Sequence, residues 1–190
     1  MTKAIDIIHD EHRALAAVLE ALKFMVNGIR DKRFAPDFKL FATMIDYITG
    51  VPEKLHHPKE EDYLFAKLRQ RSAEAVPVLD ELLAQHRNGP AAVQKLGSAL
   101  IHYQSAGEAG FDDFAKAVDT YLTFNWEHMN LEEQKVMPLA RQALTADDWA
   151  EINAAFEAND NPWAGKEGEF AQLFTRIVNM VPAPLGLGQA

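Results

Sequence analysis

Apolar residues recur along this chain at helical spacing, and alternation at period two is nearly absent. The run from Lys3 to Ile29 carries Ile5, Ile8, His12, Leu15, Leu19, Leu22, Val26 and Ile29 on one face. That three-four alternation predicts an amphipathic helix, ended by the polar stretch from Arg30 to Ala35. A second helix is predicted from Pro36, a residue suited to a first turn, to Arg71. Its stripe is Phe41, Ile45, Ile48, Pro52, His56, Glu60, Leu64 and Leu68. Gly50, Pro52 and Pro58 fall inside it. Each proline removes a backbone donor, which predicts a kink or break over 50–58.

A third helix follows Pro77, with Leu79, Leu82, His86, Val93, Leu96 and Leu100 in register and a bend expected at Gly89-Pro90. Ser105 to Gly110 reads as a loop. A fourth helix is expected to begin near Asp112 or Asp113, either of which suits an N-cap. Its stripe is Phe114, Val118, Tyr121, Asn125, His128, Glu132, Val136 and Leu139. Thr145 to Asp148 resembles a capping box with Asp in place of Glu. It opens a fifth helix, from Ala146 to about Ala158. A turn at Asn159 to Pro162 and a sixth helix, from about Lys166 to Met180, precede a Pro- and Gly-rich tail. The reading is an all-α chain: an antiparallel up-down-up-down four-helix bundle over residues 1–144, with two additional C-terminal helices over 145–190 packed on it.

The chemistry lies on the stripes. Each of the four long helices puts a histidine on its apolar face: His12, His56, His86 and His128. Two add a glutamate four residues on, as His56-x-x-x-Glu60 and His128-x-x-x-Glu132, and residues four apart share a helix face. Measured along the chain from the successive loops, the six positions agree in height to within about one helical turn. A single histidine on an apolar stripe is usually a packed core residue, and a lone His-x-x-x-Glu pair is common on exposed helices. Six such residues on four helices at one level are a different matter. Two carboxylates buried without partners cost several kcal/mol or more, and no lysine or arginine shares these stripes. Metal ions would remove that conflict. Six N and O donors exceed what one tetrahedral zinc requires and suit two ions with an open position.

His57 and Glu61 repeat the spacing of His56 and Glu60, but their face runs back through Glu53, Gly50 and Asp46, which is mostly polar. The face of His56 is the apolar one. His9 leads on to Arg13 and Glu20, so His9 and His57 are fallback ligands or supporting groups. His102 reads as a surface histidine. Tyr63 and Tyr121 lie near ligand positions, and core packing is the simpler reading for both.

Composition narrows the class. The 190 residues contain no cysteine, which excludes disulfides and thiolate metal sites. The formal net charge is -9, without a basic run, so neither nucleic acid nor an anionic membrane is expected as a partner. No signal peptide or membrane span is apparent, and a cytoplasmic location is expected.

The motifs His9-Asp-Glu-His12-Arg, His56-His-Pro-Lys-Glu60-Glu-Asp-Tyr-Leu-Phe65, Gln85-His86 and Glu127-His128-Met-Asn-Leu-Glu132-Glu133, with Met137-Pro138 beyond them, resemble the hemerythrin-like HHE cation-binding family over residues 3–143. The tail looks like that of bacterial members. The resemblance implies two iron ions (Fe2+/Fe3+), bridged by the two glutamates and an oxo or hydroxo group, with O2 reaching an open position on one of them. It is incomplete. Oxygen-carrying hemerythrins have a second histidine where this chain has Pro90, and an aspartate five past the fourth-helix histidine rather than Glu132 at four. One iron is left short of a ligand, or is completed by His57, His9 or water.

Binding, sensing or reaction with O2, NO or peroxide is therefore the leading expectation, and an enzyme is not. Iron handling or storage is the second reading, and a metal-free helical interaction module the last. A ferritin-like oxidase would need Glu-x-x-His on two helices; only Glu53-x-x-His56 fits, since Asn125 stands at the other position. The last two helices are expected to cover one end of the bundle or to form a homodimer contact.

Overall fold

A computed structural model describes residues 3–51, 56–157 and 167–188 of the chain. Among them the backbone is α-helix with short 3-10 and π segments, joined by turns, bends and short irregular connections, with one isolated bridge between Pro182 and Gly188 and no strand. No helix among the described residues is long and apolar enough to cross a membrane.

Helix α1 spans Lys3–Arg30 and buries the predicted stripe. Its end is closed by Phe34, whose ring lies over Gly28; a Cβ there would come within 1.9 Å of the ring. Helix α2, Phe38–Val51, starts two residues later than Pro36 suggests. Asp37 caps it by accepting from the Leu40 N–H at 2.9 Å. Part of the expected kink, 52–55, lies outside the described residues. Beyond it, α3 runs from His57 as a short α turn (His57–Lys59), a π segment (Glu60–Phe65) and a final α stretch (Ala66–Arg71).

Helix α4, Val76–Ala106, passes through Pro90 without ending. A 3-10 turn, Gly107–Gly110, leads into α5, Phe111–Leu131, which continues as a π segment (Glu132–Val136) and an α stretch (Met137–Ala143). The expected aspartate cap is not made. Gly110 precedes the helix, and Asp112 and Asp113 occupy the first turn, where negative charge favours the helix dipole. The Thr145 box is formed: Asp148 accepts from the Thr145 N–H at 3.0 Å, and Thr145 Oγ1 accepts from the Asp148 N–H at 3.2 Å. It opens α6, Ala146–Glu157, and α7 is Glu167–Met180. The turn read at 159–162 lies outside the described residues.

Contacts between helices run in opposing order. Along α1 and α5, His9 meets Met137, His12 meets Glu133 and Lys23 meets Asp119. Along α2–α3 and α4, Phe38 meets Tyr103, Glu61 meets His86 and Arg69 meets Asp80. Two apolar clusters result. The larger holds Leu19, Leu22, Phe41, Ile48, Leu96 and Phe114, joined by Ile177 of α7. The smaller holds Ile5, Ile8, Leu64, Leu68, Leu79 and Leu82, joined by Ile152 and Phe156 of α6. The extension is also tied by charge: Arg71 donates twice to Asp148, and Lys3 meets Glu157.

Candidate metal centre

Between the two apolar clusters, α1, the start of α3, α4 and α5 each turn polar groups inward. His12, His56, Glu60, His86, His128 and Glu132 are all buried, at 6 % exposure or less. The structure thus brings together every residue singled out on the four stripes. His56 Nε2 lies 3.2 Å from Glu60 Oε1, His12 Nε2 3.2 Å from Glu132 Oε2, and His128 Nε2 3.4 Å from Glu132 Oε1. His86 Nε2 stands 3.8 Å from both Glu60 Oε2 and Glu132 Oε1.

Local backbone geometry helps to place the acids. Each of the two π segments opens on one of the glutamates, Glu60 and Glu132. A π turn shifts the residues that follow it around the helix. It can set a carboxylate inward and still return Leu64 and Val136 to the core.

No hydrogen bond joins these groups across the cluster. Eight buried side-chain atoms of this cluster have no hydrogen-bond partner: Nε2 of the four histidines and both oxygens of Glu60 and Glu132. Buried polar atoms are ordinarily paired, so eight unpaired atoms gathered in one cluster are compatible with a metal-ligating donor set. The outer nitrogens are paired. Nδ1 donates from His56 to Glu11 at 2.6 Å, from His86 to Glu61 at 2.7 Å, from His128 to Gln85 at 2.9 Å and from His12 to Glu133 at 2.9 Å. In the neutral ring each bond puts the proton on Nδ1 and leaves the Nε2 lone pair pointing inward, as a metal-binding imidazole requires.

Electrostatics give the same account. Burial, and then Glu132, push the Glu60 carboxyl above its ordinary range. Burial acts on Glu132 in the same sense, but His128 and His12 outweigh it and hold it low. Two carboxylates this close do not ionise together without positive charge between them. Burial opposes charge on His56, yet Glu60 and Glu11 overcome it and hold its pKa well above 6.5. At His128 burial prevails, and the pKa falls to about 4.

Donor atoms fall into overlapping groups. His12, His56, Glu60 and Glu132 form one; Glu60, His86, His128 and Glu132 form a second, with ligand atoms within 4.8 Å of one another in each. The two groups share both carboxylates. The cluster is therefore compatible with metal binding.

The remaining candidates separate. His9 contacts Met137 Sδ at 3.1 Å rather than the cluster. His102 lies on the surface near Asp113. Tyr121 is in the core, whereas Tyr63 is 43 % exposed, so the packing expected for it is not made. Its place one turn past Glu60 assumed α geometry, which the π segment replaces. Glu11, Glu61, Gln85 and Glu133 were not picked out for the orienting role they hold. The available signal was their position, since each is the immediate neighbour of an inward-facing residue.

The family model of the hemerythrin HHE cation binding domain matches residues 3–140. The chain belongs to that family. The matched span covers α1 through nearly all of α5 and stops before α6. No curated protein and no solved structure matches the chain.

Proposed function

We propose that this protein holds two iron ions between its helices and uses them to bind, sense or react with O2 or a similar small molecule such as NO or peroxide. The ligands proposed are His12, His56, Glu60, His86, His128 and Glu132. The carrying observation is the pair of donor groups that share both carboxylates, because a shared carboxylate is how two cations are held side by side. Mixed imidazole and carboxylate donors suit iron, and the family assignment favours the same class of site. An up-down-up-down bundle is part of the proposal, supported by the opposing order of contacts along neighbouring helices.

The protein's part is to bind, orient and shield. Nδ1 partners fix all four rings, and the burial of Glu60 and Glu132 reserves their charge for the cations. A cavity of about 10 Å³ adjoins the cluster, lined by Glu11, His12, Leu15, His56, His57, His128 and Met129. That is about the space one water occupies, so it favours a diatomic over any larger substrate. Bound iron would supply the electrons that an oxidising ligand takes up.

The test is anaerobic loading with Fe(II), followed by metal analysis and visible spectra before and after air. About two irons per chain and an absorption band that appears in air and fades on its removal support ligand binding. An irreversible change with loss of iron supports iron handling instead. A folded chain that takes up no iron contradicts the proposal.

A further inference from the structure

Three acids accept protons from the outer nitrogens of the buried histidines, and Glu11 is the least exposed of them. Among the described residues it is also the one of the three with a lysine in ion-pair reach: Lys59 Nζ stands 3.8 Å from Glu11 Oε1. Glu11 Oε2 accepts the His56 Nδ1 proton, so one oxygen serves the imidazole and the other faces the lysine. Lys59 is itself covered. Its side chain is 16 % exposed, and its ammonium lies over the ring of Phe156, 5.8 Å from the centroid. That is within the range of a cation–π contact. Phe156 is buried and belongs to α6, beyond the family span that ends at residue 140. Other bonds fix α6 in place. Asn153 Oδ1 accepts from the Ala4 N–H at 2.9 Å, and Glu151 pairs with Lys67.

We propose that Lys59 is a positioning residue for the metal centre: held against Phe156 of α6, it fixes the Glu11 carboxylate that aims His56, and so ties metal affinity to a helix outside the matched family span. The proposal rests on the two-ion reading above and deepens it. Glu11 is partly open to water. A carboxylate so placed can turn outward, and His56 Nδ1 would then lose the acceptor that fixes its ring. A cation on the second oxygen holds the carboxylate where it is. The lysine in turn needs a wall, because its stem is flexible and its ammonium strongly hydrated. The face of an aromatic ring supplies that wall and attracts the charge. Lys59 stands immediately before the π segment that opens on Glu60. One short stretch of α3 thus sends a lysine toward α1 and α6 and a glutamate into the cluster. A contrary effect has the opposite sign: a lysine that merely repelled the metal ions would, once removed, raise their affinity.

The variant Lys59→Met keeps an apolar stem against Phe156 and removes the charge. Metal affinity is measured with Co(II) by competition against a chelator, and folding by thermal melting of the metal-free protein. A third readout is one that a merely structural lysine would not move: solvent exchange of the His56 Nδ1 proton, followed by NMR in isotope-labelled, metal-free protein. Lys59→Met is expected to bind metal about tenfold more weakly, the low end of the range for losing an outer hydrogen-bond partner. Its Nδ1 proton should exchange faster, and Lys59→Arg should restore both. Phe156→Leu should shift both in the same direction. Because Phe156 acts through Lys59, the double variant should go no further than Lys59→Met alone. Unchanged exchange in a folded Lys59→Met overturns the proposal, and so does an affinity that is unchanged or raised; either leaves the two-ion reading intact. Additive losses in the double variant overturn the part given to α6. A parent that binds no metal overturns the two-ion reading, and proton exchange then still decides whether Lys59 positions Glu11.

Discussion

His56 donates its Nδ1 proton to Glu11 Oε2 at 2.6 Å, so the imidazole at the start of α3 is oriented by an acid on α1. The same relation repeats around the bundle. Glu61 on α3 serves His86 on α4, Gln85 on α4 serves His128 on α5, and Glu133 on α5 serves His12 on α1. The four bonds close a ring in which each helix aims its neighbour's histidine, and no helix aims its own.

Breaking one link should loosen the metal more than the fold. Glu11→Ala leaves the His56 Nδ1 proton without its acceptor, which costs the metal-free protein about 1–3 kcal/mol. Metal affinity should fall roughly 10–100-fold. Chelator competition beside thermal melting separates the two effects. Parental affinity in the variant would show that the ring does not orient the site.

Gln85 is the one neutral member of the ring, and His128, its donor, is the histidine with a pKa near 4. Gln85→Glu places a carboxylate there. An adjacent negative charge typically raises a pKa by about 1–3 units, so His128 should titrate well above 4 in the metal-free variant. NMR titration of the imidazole protons measures it, and an unchanged midpoint contradicts the assignment.

Protons and metal should compete at His56, whose pKa is held well above 6.5 by Glu60 and Glu11 against burial. Because the metal takes the deprotonated ring, affinity should rise with pH, and binding at pH 7 should release protons. For the metal-free fold the sign is opposite. A raised folded pKa stabilises the protein below the unfolded value of about 6.5, and that contribution is lost as pH rises through the folded value. Calorimetry in buffers of differing ionisation enthalpy reads the released protons. Their absence would contradict the raised pKa.

The tie between the C-terminal extension and the bundle should weaken in acid. Arg71, and then the Thr145 N–H and hydroxyl, hold Asp148 well below the usual carboxylate range. The stability it contributes is complete above about pH 4 and is lost as pH falls toward the depressed folded value. Asp148→Asn should flatten the acid side of the melting profile, while Thr145→Ala should cost about 1 kcal/mol at neutral pH. An acid profile identical to the parent's in Asp148→Asn would contradict the role given to that pair.

Much of this was legible along the chain because each apolar stripe carries its histidine in a core slot. Burial thus predicted the site: His12, His56, His86 and His128 occupy slots where leucine would otherwise stand, and the structure buries all four. The remainder was hidden in backbone detail. Periodicity assumes 3.6 residues per turn, so it cannot register π segments that begin at Glu60 and Glu132. Nor did spacing along one helix reveal the orienting ring, because its bonds cross between helices.

The central claim is that the unpaired atoms of the buried cluster bind cations. Iron content of the anaerobically Fe(II)-loaded chain, compared with that of Glu132→Ala verified as folded by circular dichroism, tests it most directly. The account predicts about two irons per chain in the parent and a sharp loss in the variant. A well-folded parent with no bound iron, or equal iron in both proteins, would contradict it.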